Sequence, residues 1–104
     1  MVYIRGMKQI HEMQGFDWDD ANREKNWIRH GVTESESEEV FGNQSLAIVE
    51  DKKHSEKEER FCAFGKSNEG RLLSIAFTIR SGLIRIITAR PMSKKERRFY
   101  EENT

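Results

Sequence analysis

Gly82 to Tyr100, GLIRIITARPMSKKERRFY, is the stretch whose reading decides the fold. It predicts a turn at Gly82, a strand from about Leu83 to Arg90, a break at Pro91, and a closing helix that carries Lys94, Lys95, Arg97 and Arg98. Ser93 and Glu96 form a Ser-x-x-Glu capping box, which marks the helix start. The strand carries Arg85 and Arg90 beside Ile84, Ile86 and Ile87, so guanidinium groups sit on or next to a rigid buried element. Such groups suit an anion site, because the arginine fork matches phosphate geometry and keeps its charge near neutral pH. A sheet-edge strand with solvated arginines fits the same pattern equally well.

Working outward, the chain of 104 residues is long enough for one domain with a single core, and with 36% hydrophobic and 35% charged residues its surface is heavily solvated. Lysine plus arginine balance aspartate plus glutamate at 18 each, so whole-chain charge gives no sign of nucleic-acid binding. Distribution says more than the sum. The basic residues Arg80, Arg85, Arg90, Lys94, Lys95, Arg97 and Arg98 crowd the C-terminal part, whereas Glu34, Glu36, Glu38 and Glu39 crowd an acidic run before Phe61. That asymmetry predicts a basic functional face on an acidic remainder. Cys62 is the single cysteine, which excludes an internal disulfide and suits a small buried hydrophobe in a reducing compartment. No apolar run approaches membrane-spanning length and no signal-peptide core begins the chain, so the expected location is the cytoplasm, away from membranes.

Residues 1–15 read as a leader of uncertain order in which Met1, Met7 and Met13 could each serve as a start, and residues 16–104 as one domain. Phe16 and Trp18 alternate with Asp17 and Asp19 as a short strand. Asp19 or Asp20 caps a helix that runs to about His30 and stops at Gly31. Its apolar residues are few (Ala21, Trp27, Ile28), and the stripe Asn22, Lys25, Asn26, Arg29 is expected to face water or a partner. Thr33 and Glu36 open a second, short helix anchored only by Val40 and Phe41. Strands follow at Leu46 to Val49, Arg60 to Gly65 and Arg71 to Ile79, the last with Leu73, Ile75, Phe77 and Ile79 on one face. Short connections make these neighbours antiparallel. The predicted class is α+β: a short N-terminal strand plus a four-stranded antiparallel meander, two N-terminal helices and a C-terminal helix.

The ordered series Phe16-x-Trp18-Asp19, Lys25-Asn26, His30-Gly31-Val32, Val40-Phe41, Asp51-x-x-His54, Glu58-x-Arg60, Gly65, Arg71, Arg85-Ile86-Ile87-x-Ala89-Arg90, Glu96-Arg97 and Tyr100 resembles the BrnT family of toxins. The resemblance covers roughly residues 16 to 102. In the second helix Glu34, Ser37 and Glu38 stand where that family usually carries Phe and Ala. The resemblance implies a RelE-like fold and an endoribonuclease toxin of a type II toxin–antitoxin pair. It would inhibit translation by cutting mRNA, on or off the ribosome, and would form a hetero-oligomer with a BrnA-like antitoxin that alone contacts operator DNA.

RNA cleavage without a metal needs a base for the ribose 2′-OH, an acid for the leaving 5′-oxygen, and cations around the phosphorane. His54 and Glu58 are the candidate acid and base, and Arg60, Arg85 and Arg90 the candidate clamp. Arg71, Arg80, Lys94, Lys95, Arg97 and Arg98 are the candidate RNA-binding residues. The bland alternatives are a solvated His54, a surface pair of Glu58 with Arg60, and Arg90 paired to an acidic residue near the last helix. No Cys/His cluster has metal-ligand spacing and no glycine-rich phosphate loop is present, so neither metal nor cofactor is expected. The alternative function is an interaction domain of feeble catalysis that binds the antitoxin and tunes repression of their operon.

Overall fold

The computed structural model describes residues 2–3, 13–43, 45–54 and 57–104, with Val2, Tyr3 and His54 described by backbone alone. The elements are β1 (Val2–Tyr3), β2 (Phe16–Asp17), α1 (Asp20–His30), α2 (Glu34–Gly42), β3 (Ala47–Glu50), β4 (Phe61–Lys66), β5 (Leu72–Arg80), β6 (Leu83–Pro91) and α3 (Lys94–Asn103). They build a six-stranded sheet in the order β1-β3-β4-β5-β6-β2. The expected antiparallel meander from β3 to β6 is its centre. Two short strands close its edges, β1 parallel to β3 and β2 parallel to β6. Of the expected leader, residues 1 and 4–12 lie outside the described residues, while the Gln14 N–H donates to the Gly82 carbonyl and Gly15 accepts from the Ile84 N–H.

Both faces of the sheet are covered, but unequally. On the first face Leu73, Ile75 and Phe77 of β5 pack with Ile48, Ala63, Ile84, Ile86 and Ala89, beneath Val32 and the α2 residue Val40. Gly65 sits so close to α2 that an added Cβ would come 2.9 Å from Val40 Cγ1, so only glycine lets the helix approach there. The second face carries a smaller cluster of Ala47, Phe64, Met92 and Tyr100, where Phe99 of α3 meets Phe64 edge-on at 5.6 Å. The buried Tyr100 hydroxyl donates to the Ser45 carbonyl at 2.6 Å, so this ring packs α3 down on the sheet.

One irregularity decides which side chains share a face. Ala76 pairs with Thr88 and Phe77 with Ile86, leaving Ile87 as an extra residue in β6. Such a bulge shifts the alternation by one. Ile84 and Ile86 before it and Ala89 after it all point into the first-face core, so Arg85 and Arg90 both project from the second face, opposite Thr78 and Ser74.

The helix boundaries follow from their caps. Asp19 accepts from the Ala21 and Asn22 N–H groups, Thr33 from that of Glu36, and Ser93 and Glu96 form the reciprocal box. Gly31 closes α1 in the left-handed region at φ 62°. The orientation of α1 corrects the expected one. Asn26, placed on the solvent stripe by periodicity, is only 1% exposed, whereas Trp27 and Ile28 are 58% and 70% exposed. The reason is a backbone demand. β2 pairs with β6 only at Ile84 and Arg85, so the Ala89 N–H needs another acceptor and finds Asn26 Oδ1 at 3.2 Å. In α2, buried Ser37 returns its hydroxyl to the Thr33 carbonyl, and Glu38 accepts the Trp18 indole N–H at 2.8 Å, so one polar residue is satisfied within the helix and the other by a tertiary bond.

Replacing Asn26 by alanine strands the Ala89 N–H in the interior. The expected cost is about 1–3 kcal/mol in a urea titration; a loss under about 0.5 kcal/mol would show that this bond does not hold α1 to the sheet.

Candidate functional site

The part of the second face that lies beyond α3 is built from Cys62, Ala76, Thr88 and Arg85, all half-buried, with Thr78 buried among them. Arg85 is held from the β2 side. Its Nη1 donates to Asp17 at 2.8 Å and its Nη2 to Asp19 at 3.3 Å. At the neighbouring hairpin end Arg80 makes a two-point pair with Glu58, at 2.9 and 3.2 Å. These groups sense one another. The Arg80 hydrogen bond first, and then its charge and that of Arg85, lower the Glu58 carboxyl below its ordinary value, while Asp17 adds to the upward shift of Arg80. Glu58 is therefore ionised at neutral pH, and while Arg80 holds it the carboxylate is a weaker proton acceptor than a free glutamate.

Arg90 lies at the α3 end of the same face and grips Glu96 with both terminal nitrogens, at 2.6 and 2.7 Å. Burial pushes the Glu96 carboxyl upward, but the Arg90 bonds and the Ser93 N–H outweigh it, and the net shift is downward. Cys62 sits between the two ends. Burial, followed by the Asp51 and Glu96 carboxylates, raises its thiol to about 11 against the opposing charges of Arg90 and Arg60. It is a neutral thiol at pH 7, in keeping with a packing role and unsuited to nucleophilic attack.

The candidates chosen from sequence divide accordingly. Arg85, Arg80 and Glu58 are brought together; Arg90 shares their face beside α3, and Arg60 is near enough to act on Cys62 at the start of β4. Glu58 pairs with Arg80 rather than Arg60. His54 closes a single 3-10 turn, Lys52–His54, after β3, and its side chain lies outside the described residues. Arg71 is elsewhere: it donates to the His30 and Gly31 carbonyls and to Glu36, tying the end of α1 to α2. Lys94, Lys95, Arg97 and Arg98 are exposed on α3. Sequence reasoning named Asp17 and Asp19 only as a strand residue and a helix cap. Their contact with Arg85 spans most of the chain, and no local pattern announces it. Among the described residues no His, Cys, Asp or Glu cluster could hold a metal ion, and no helix is long and apolar enough to cross a membrane.

Comparison with known proteins gives the class to which this small α+β sheet, with arginines and carboxylates on one face, belongs. Residues 18–96 match the model of the family described as "Ribonuclease toxin, BrnT, of type II toxin-antitoxin system". This chain belongs to the BrnT family. The crystal structure of the Brucella abortus ribonuclease toxin BrnT is similar in fold at a TM-score of 0.60, with 20% identity over 77% of this chain and 97% of that one. No curated protein matches the sequence.

Glu96→Gln tests the Arg90 pair by pH, since glutamine still completes the capping box. The folded-state carboxyl lies below its unfolded value, so the pair stabilises above the ordinary glutamate value of about 4.3 and its contribution is lost as pH falls through the folded value. The stability gap between wild type and variant should be widest near neutrality and close in acid. A gap that does not vary with pH would deny the pair its charge.

Proposed function

We propose that this chain is an endoribonuclease whose site is the second face of the sheet, working without metal through its own acid, base and arginine groups. The observation that carries the reading is the shared face: the extra residue Ile87 turns Arg85 and Arg90 to the same side, with Glu58 and Arg80 beside Arg85. Glu58 would take the 2′-OH proton once RNA draws Arg80 away from it, His54 on the adjoining turn would protonate the leaving 5′-oxygen, and Arg60, Arg85 and Arg90 would bear the charge of the phosphorane. Arg80, Lys94, Lys95, Arg97 and Arg98 extend the track for the RNA backbone. The position of Arg71, occupied with helix carbonyls, supports a structural task for it.

A type II toxin has an antitoxin partner. We take this partner to be BrnA-like and to bind the operator itself; both proteins act in the cytoplasm, the toxin cutting mRNA and so inhibiting translation, the antitoxin restraining it. The exposed cations of α3 are its expected landing surface, because acidic side chains there would be steered to the toxin and would cover the phosphate track. A second functional reading, an interaction domain with feeble catalysis, draws on the fact that Arg80, Arg85 and Arg90 are each paired with a carboxylate of the same chain. RNA must then compete for every one of them.

Two experiments separate the readings. Expression without antitoxin should arrest growth, and the purified protein should cut RNA; normal growth with intact RNA would leave the interaction domain. Arg85→Ala or Arg90→Ala should lower cleavage by about 10²–10³-fold with the fold retained, while reversal of Lys94 or Lys95 does less. Equal losses from all four would indicate diffuse attraction in place of a clamp. For the antitoxin, reversing Lys94 and Arg98 together should slow association and flatten its salt dependence. Unchanged kinetics, with binding lost on reversing Lys25 and Arg29, would move the landing surface to α1.

A further inference from the structure

We infer that Asp17 and Asp19 are positioning residues for Arg85, a pair of carboxylates that aim its guanidinium across the second face so that it meets a phosphate in a fixed orientation. The inference rests on the reading of that face as the RNA-cleaving site and adds two residues to it.

Three observations converge. Asp17 stands beside Arg85 in the β2–β6 ladder, so its carboxylate is placed by the backbone register, and it takes Nη1 at 2.8 Å. Asp19 is fixed by a different device: Oδ1 is committed to the α1 cap, accepting from Ala21 at 2.8 Å and Asn22 at 3.3 Å, and this turns Oδ2 toward Arg85 Nη2 at 3.3 Å. The guanidinium so gripped is the most buried partner of the trio, with its side chain 22% exposed against 37% and 40% for the carboxylates. An arginine side chain is long and rotamer-rich, and holding it before RNA arrives removes an ordering cost from the transition state. One acceptor on each terminal nitrogen leaves the rest of the fork for the substrate. The contrast with Arg80 is instructive: it has one carboxylate partner, both groups are about half exposed, and Glu58 stands outside the strand ladder that places Asp17.

Carboxylates beside a phosphate site can also act as plain competitors, and the two roles predict opposite signs. If Asp17 and Asp19 only repel RNA or occupy Arg85, neutralising them tightens binding and speeds cleavage. If they position Arg85, neutralising them lowers kcat while RNA binding stays level or tightens.

The test uses Asp17→Asn, Asp19→Asn and the double variant in the full chain, with Arg85→Ala as reference. Asparagine caps a helix as well as aspartate does, so Asp19→Asn keeps α1 capped and loses only the ion pair. Thermal melting confirms the fold, and the Arg85 side-chain N–H resonances report whether the guanidinium is still held. A single-turnover assay should show the double variant slowed by about 10²-fold, with KM and affinity for a 2′-deoxy RNA analogue within about threefold of wild type, and with averaged Arg85 N–H resonances. Unchanged or faster cleavage in well-folded Asn variants, while Arg85→Ala is inactive, would overturn the inference and leave the site reading standing. Full activity in Arg85→Ala would instead bring down the site reading itself.

Discussion

A strand of strictly alternating side chains cannot send two residues an odd number of places apart to the same side, and Arg85 and Arg90 are such a pair. The accommodation of Ile87 as an extra residue in β6, against the single step from Ala76 to Phe77 in β5, is therefore the constraint on which the second face depends. It lets Ile84, Ile86 and Ala89 remain in the main core while both arginines leave it. Core packing enforces the bulge in turn, because a one-residue slip without it would drive Arg90 toward the interior in place of Ala89. Stability and the display of cations are thus set by one backbone feature.

The same face shows how a chain of zero formal charge can display several arginines together. Its arginines are not accumulated as a basic field; they are distributed among carboxylates that come from β2, the turn before β4 and α3. Each pair restrains a long side chain at a defined place, and on the proposed reading each is one that a phosphate would have to displace. The most exposed of these pairs, Arg80 with Glu58, contributes little to folding. On the proposed reading, the consequence of the pairs is the orientation of the guanidinium groups.

Much of the frame was legible in the sequence. Alternation in Leu73, Ile75 and Phe77 gave β5 and its buried face, and the capping residues Asp19, Thr33 and Ser93 gave the helix starts, because both signals are local. What escaped depends on tertiary partners. Asn26 is polar and lies on a polar stripe, yet it is buried because the edge of β6 has an N–H that β2 is too short to satisfy. Arg71, grouped with the RNA-binding cations, also donates to the carbonyls at the end of α1, a contact no local pattern announces. Glu58 was set against nearby Arg60 and instead reaches Arg80 across the hairpin. The bulge has no local signature either, since three consecutive β-branched residues, Ile86, Ile87 and Thr88, fit regular strand equally well.

The central claim is that RNA meets the second face of the sheet between Arg85 and Arg90. Amide chemical-shift mapping with a short RNA whose 2′-hydroxyls are replaced, so that it binds without being cut, tests it most directly. The account predicts that the perturbed amides cluster on Cys62, Ala76, Thr78, Arg85, Thr88 and Arg90, and that they fade with added salt. Perturbations confined to α1 or to the outer side of α3, with the β4–β6 amides unmoved, would contradict it.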